Sequence, residues 1–248
     1  VMSKTKHKKF HKSRIIAKIE IKSKNCVKPI QFEGLKKVGD PVILAKKYEL
    51  QGVDEIIMTD IVASLYQREI DYDLIYELGK NISIPLTYGG GVKNLNQFEN
   101  CLKKGADKIS LNSGIINNLN LLKKIINTFG SQAVVINIEA QKIKDNWFCL
   151  TDGGRINSGR KLLSWINTLK EIGIGELLIQ SIRKDGTLDG PDYELIQKVS
   201  KINISKIYCG GICNYGQINK IHNYFKFDAV ALSSVLHYNK IELNKKHN

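Results

Sequence analysis

The segment IPLTYGGGVKN, residues 84–94, decides how the chain is read, because its Gly89-Gly90 pair returns as Gly210-Gly211, 121 residues further on. The same offset relates Glu55 to Glu176, Asp107 to Asp228 and Ser113 to Ser234. Upstream, RIIAKIEIK (14–22) and VVINIEAQK (134–142) resemble each other, with Glu20 matched to Glu139 at a spacing of 119. Coincidences at one spacing point to two copies of one half, and a long-period repeat constrains a fold before any local pattern does.

Within each half, short β-branched runs alternate with helical patterns, as in βαβ units around a parallel sheet. The spacing predicts eight strands, at 14–21, 55–61, 84–88, 108–112, 134–140, 176–182, 206–210 and 229–233. Between them lie amphipathic stretches such as 40–51, where Asp40 can cap and Pro41 can take the first helical turn. In 94–104, Leu95, Phe98, Cys101 and Leu102 follow helical spacing. Eight strands and eight helices, the last one short, fit a closed α/β fold, a (β/α)₈ barrel of two duplicated half-barrels, better than an open sheet. No GxGxxG or P-loop favours the open alternative.

A chain of 248 residues with 42% hydrophobic content suits one such domain. We expect a basic tail over 1–13 and the barrel over 14–248. The formal charge of +14 is partly local, since Lys4, Lys6, Lys8, Lys9, Lys12 and Arg14 crowd the start and Lys245 and Lys246 lie near the end. Such runs are commonly solvated and disordered. The remaining excess attracts acidic ligands such as phosphate esters, whereas no aromatic-basic interleaving or motif supports nucleic acid. Five cysteines, an odd number without a CxxC pair, support neither a zinc site nor a disulfide framework. With no long apolar span and no signal-peptide core, we expect a soluble cytoplasmic protein; no metal or cofactor is implied.

Loops after the carboxyl ends of barrel strands build active sites, so polar residues there are read functionally first. Glu20 interrupts Ile19 and Ile21, Glu139 interrupts Ile138 and Ala140, and Asp60 closes the second strand. A carboxylate in so apolar a run is costly to bury unless paired or hydrogen-bonded. A satisfied core ion pair is the plain alternative; the match across the halves favours two acid-base groups facing one cavity, one donating while the other accepts, if their surroundings separate their pKa values. Gly89-Gly90-Gly91 with Asn112-Ser113, and Gly210-Gly211 with Ser233-Ser234, can each present bare N–H groups and a hydroxyl to a phosphate. Half a barrel apart, they imply an elongated ligand with a phosphate at each end. At the opposite strand ends stand Arg14, Glu55, Lys108 and Glu176, either a stability network at the barrel base or a gate across its axis.

From about Arg14 to Tyr238 the chain resembles the cyclase subunit of imidazole glycerol phosphate synthase. The segments that carry the resemblance are VGDPVILAKKY, GVDEIIMTDIVAS, IPLTYGGGVKN, GADKISLNS, FGSQAVVINIEA, GIGELLIQSIRKDGT and DAVALSSVLHY. It implies a lyase-cyclase of histidine biosynthesis in which ammonia attacks a bisphosphorylated ribulosyl formimino-carboxamide ribonucleotide. The products are imidazole glycerol phosphate and aminoimidazole carboxamide ribonucleotide. Ammonia would come from a glutamine amidotransferase subunit docked at the barrel base; no cysteine-histidine glutaminase signature is present here. By position the resemblance implies acid-base roles for Glu20 and Glu139, a mobile first-loop lysine at Lys28, and substrate contacts in Asp185-Gly186-Thr187. It further implies an ammonia gate of Arg14, Glu55, Lys108 and Glu176, and a partner contact at Asp107.

The sequence departs from the family where it matters. Both catalytic aspartates are glutamates, the loop Lys22–Lys28 lacks the family's glycine, and Asp152 replaces a small polar residue. One methylene moves a carboxyl by about 1.5 Å, and misplacement by about 1 Å can cost on the order of 100-fold in rate. Similar changes occur in a branch tied to bacterial surface-sugar gene clusters. Two alternatives to the cyclase therefore stand: an ammonia-supplying partner of an amidotransferase for amidination of a surface sugar, and a non-catalytic scaffold for that amidotransferase.

Overall fold

The computed structural model describes residues 13–243, so positions 1–12 of the expected tail, and Lys245 and Lys246, lie outside the described residues. Twelve strands are formed among the described residues: β1 (Arg14–Lys22), β2 (Asn25–Ile30), β3 (Glu33–Gly39), β4 (Glu55–Asp60), β5 (Leu86–Gly89), β6 (Lys108–Leu111), β7 (Val134–Ile143), β8 (Asn146–Thr151), β9 (Ile156–Lys161), β10 (Glu176–Ser181), β11 (Ser205–Cys209) and β12 (Ala229–Leu232). Eight of them, β1, β4, β5, β6, β7, β10, β11 and β12, pair in parallel in that order, and β12 returns to β1. The barrel is therefore closed, as the repeat predicts, with every expected strand within three residues of its place.

The other four strands form two antiparallel hairpins that prolong β1 and β7. Sequence patterning does not announce them, because β3 and β9 are largely exposed and bury no apolar face. β2 and β8 pair with the overhanging ends of β1 and β7, at the same place in each half, and β3 and β9 pair with β2 and β8 in turn.

The helices obey the local chemistry read from the sequence. Asp40 Oδ1 accepts from Val42 N–H at 2.8 Å and Ile43 N–H at 3.0 Å, Pro41 opens the helix, and Gly52 in the left-handed region ends Pro41–Gln51. Asn94 caps Leu95–Lys103, which turns Phe98 and Cys101 into the core.

Alternation along the strands sorts the barrel interior into layers. On β1, Arg14, Ile16, Lys18 and Glu20 share the inward face. Ile16, Ile57, Val135, Leu178, Ile207 and Ala229 belong to an apolar cluster separate from the larger one between strands and helices. Charged residues lie below this layer, and polar ones above it at the strands' carboxyl ends.

Candidate active site

Glu20 is fully buried, with Lys18 Nζ at 2.8 Å, Lys28 Nζ at 2.6 Å and the Ser233 hydroxyl at 3.1 Å. Burial alone would raise its pKa, but the two ammonium groups outweigh that and hold it down at about 2. Lys28 reaches it from β2 and also binds both oxygens of Asp185 at 3.0 Å. Lys18 crosses the barrel to Gln180 Oε1 at 3.1 Å. Burial works against charge on Lys18 too, yet Glu20 lifts its pKa above the ordinary value.

Glu139 lies at the same place in the other half, with no lysine on it. Gly154 N–H donates to its Oε2 at 2.7 Å, and Asn137 Nδ2 lies 3.4 Å from Oε1. Burial pushes its pKa up to about 7, against the pull of the Gly154 N–H and the charge of Lys18. Two carboxylates of one repeat position thus titrate far apart.

A cavity of about 500 Å³ opens over the first half, lined by Asp60, Gly90, Gly91, Asn112, Ser113 and Glu139 among others. Gly90 adopts φ +109°, and a Cβ there would lie 2.5 Å from the Asp60 carbonyl oxygen, so glycine is required where the backbone turns around the cavity. Asp60 accepts from Val62 N–H at 3.1 Å, and burial raises its pKa. Asn112 donates to the Leu150 carbonyl at 3.1 Å, and the Ser113 hydroxyl accepts from Asp152 N–H at 3.0 Å, tying the β8–β9 hairpin to this wall.

The second cradle is much tighter. Lys28, Asp185, Gly186, Gly210, Gly211, Ser233 and Ser234 line a cleft of only about 20 Å³. Gly211, at φ +74°, would place a Cβ 2.2 Å from the Gly190 carbonyl oxygen. The β2–β3 hairpin covers this side: Gln31 N–H donates to the Asp185 carbonyl at 2.8 Å and Gln31 Nε2 to the Arg183 carbonyl at 2.9 Å. Ser234, which lines the cradle, has a buried Oγ with no hydrogen-bond partner among the described residues. Ser233 instead turns its hydroxyl on Glu20. The expectation that both glutamates face one cavity is met by Glu139 alone, because Lys18 and Lys28 cover Glu20, which lines neither opening.

At the opposite end, Arg14 bridges Glu55 at 2.5 Å and Glu176 at closer range, while Lys108 reaches the same two carboxylates at 3.4 and 3.2 Å. The four residues form a ring across the axis. Asp107 Oδ2 accepts from Leu86 N–H and Asp228 Oδ2 from Lys206 N–H, each at 2.8 Å, so this repeat pair ties strand starts together.

Sequence reading missed Lys18, Asn137, Gln180, Tyr48 and His237. Period-two alternation already placed Lys18 on the face of Glu20. The Glu20 carboxylate can only accept, so Ser233 donates to it; Ser233 then accepts from His237 Nε2 at 3.1 Å, and His237 Nδ1 accepts from the Tyr48 hydroxyl at 2.6 Å. Burial lowers the His237 pKa to about 4, keeping the ring neutral for this relay.

A closed (β/α)₈ barrel with matched glycine-serine turns at the carboxyl ends of its strands, and with Glu139 opening on the larger cavity while Glu20 is buried beside it, defines a duplicated α/β barrel. The chain belongs to the family described as histidine biosynthesis protein, which matches residues 14–242. It is 40% identical over 235 residues to imidazole glycerol phosphate synthase subunit HisF of Lactococcus lactis subsp. lactis (strain IL1403), covering 94% of this chain and 91% of that one. The subunits so named from Clostridium botulinum (strain Okra / Type B1) and Clostridium beijerinckii are each 39% identical, covering 95% of this chain and 94% of theirs.

Proposed function

We propose that the chain is the ammonia-dependent cyclase subunit of an imidazole glycerol phosphate synthase, a lyase of histidine biosynthesis. It takes the bisphosphorylated ribulosyl formimino-carboxamide ribonucleotide and ammonia to imidazole glycerol phosphate and aminoimidazole carboxamide ribonucleotide. One observation carries this reading: a duplicated carboxylate pair lies between two glycine-serine cradles with one member held ionised and the other titrating near 7. Glu139, which lines the cavity, donates and recovers the proton. Glu20 acts through Lys18, which touches it and lines the same cavity. Gly90, Gly91 and Ser113 take one phosphate; Gly210, Gly211 and Ser234 take the other once the Lys28 arm and its hairpin lift from Asp185 and Gly186.

Ammonia enters from a glutamine amidotransferase subunit seated on the strand-start face, where Asp107 meets the partner and the ring of Arg14, Glu55, Lys108 and Glu176 gates the axis. The setting is the cytoplasm; five reduced cysteines and the lack, among the described residues, of any helix long and apolar enough to cross a membrane agree with that. Purified protein given the bisphosphate and an ammonium salt, without any amidotransferase, forms both products by chromatography. No product with an intact fold rejects the reading.

The inequality of the cradles favours a second reading. A second phosphate must displace the Lys28 arm, and Asp152 sets a carboxylate at the wall of the first cradle. Both suit an ammonia-supplying partner for amidination of a surface sugar. Titration of the bisphosphate separates the two, since that partner does not bind it.

A further inference from the structure

Lys18 and Asn137 occupy one repeat position, two residues before Glu20 and Glu139, on strands β1 and β7 that face each other across the barrel. The position has diverged into a cation in one half and an amide in the other. Both side chains are more than nine-tenths buried, and both line the larger cavity. An ammonium group carries three N–H donors; Lys18 uses one on Glu20 and one on Gln180, leaving one for the cavity. Asn137 turns its Nδ2 toward Glu139, and its Oδ1 is a buried acceptor with no partner among the described residues. Leaving such an acceptor unpaired is costly, so it calls for a donor from what the cavity holds.

Beneath this pair lies the apolar layer. Ile16 and Val135 stand two residues below Lys18 and Asn137 on the same inward faces, with Ile57, Leu178, Ile207 and Ala229 around them. Such a layer passes a small neutral molecule far more readily than an ion. Below it lies the charged ring.

We propose that Lys18 and Asn137 form the landing site for ammonia emerging from the barrel interior, an inference that rests on reading the chain as an ammonia-dependent cyclase. Ammonia offers three N–H groups and one lone pair. One N–H is donated to Asn137 Oδ1, and the free N–H of Lys18 anchors the lone pair until substrate arrives. The charge on Lys18, secured by Glu20, disfavours a second cation beside it, so the nitrogen stays neutral and nucleophilic. Glu139, touched by the Asn137 amide, stands ready to exchange the proton that attack releases.

The test is steady-state turnover with ammonium as sole nitrogen source, varied at saturating bisphosphate and the reverse, for wild type, Lys18→Met and Asn137→Leu. Each substitution raises the KM for free ammonia on the order of tenfold, the loss of one hydrogen bond to a buried group. The KM for the bisphosphate stays within about twofold. A rise in the bisphosphate KM instead assigns the pair to substrate and overturns the proposal; so does an unchanged ammonia KM. If Lys18→Met fails to fold, Asn137→Leu, which breaks no ion pair, decides alone. If wild type converts no bisphosphate, the functional reading has failed. The landing site is then judged by a crystal structure grown at high pH in ammonium salt: a solvent-sized molecule bridging Lys18 Nζ and Asn137 Oδ1 supports it, and a dry gap overturns it.

Discussion

Glu20 and Glu139 occupy equivalent positions in the two half-barrels and are shifted in opposite directions from the usual carboxylate range, one pressed to about 2 by two lysines and the other raised to about 7 by burial. Divergence inside a duplicated frame thus gives two matched carboxylates opposite pKa shifts. The consequences for stability run in opposite directions.

Glu139 binds its proton more tightly folded than unfolded, so its contribution is largest below the usual carboxylate pKa and is lost as pH rises through about 7. Replacing it removes that loss. Glu139→Gln is more stable than wild type at pH 8 by roughly 2–3 kcal/mol, a gain that fades toward pH 4. Glu20 is the reverse: its stabilisation is present above the usual carboxylate pKa and lost as pH falls through about 2. Glu20→Gln strips buried Lys18 and Lys28 of their shared partner and costs about 3–5 kcal/mol at neutral pH. Urea unfolding at several pH values reads both.

Catalysis follows the same titration. With Glu139 as the proton donor, kcat/KM measured at constant free ammonia is level below about pH 7 and falls about tenfold per unit above it. A profile flat from pH 6 to 9 removes Glu139 from that role.

The glycines of the cradles are constrained by contact as well as by φ. Gly211→Ala drives a methyl against the Gly190 carbonyl in a left-handed conformation and costs about 1–3 kcal/mol of stability. It also weakens bisphosphate binding. Calorimetric titration of the ligand into the variant, beside thermal unfolding, separates the two effects.

The ring at the base predicts a coupling defect. Arg14→Ala removes one of the two bridges between Glu55 and Glu176 and leaves that of Lys108. With the amidotransferase present, glutamine-driven turnover falls several-fold more than turnover driven by ammonium salt. Equal losses in the two assays make the ring a stabilising network only.

Much of this was legible because the repeat spoke twice. Glu20 and Glu139 each break an apolar run at one spacing, and Gly90 and Gly211 each follow a strand, so a single ambiguous signal became a paired one. Lys18 was passed over for the opposite reason: alternation places it on the face of Glu20, but in a chain with 38 Lys+Arg one more lysine reads as solvated, and its partner Gln180 comes from the far side of the barrel. The unequal cradles could not be read either. Their glycines and serines match, and the difference comes from Lys28 and Gln31 on a hairpin whose exposed outer strand carries little apolar pattern.

The most direct measurement compares wild type with Glu139→Gln for binding and for single-turnover conversion of the bisphosphate with ammonium. The site described here gives conversion in wild type and, in the variant, binding within about threefold but a rate lower by at least about 100-fold. A variant that converts the ligand at the wild-type rate contradicts it.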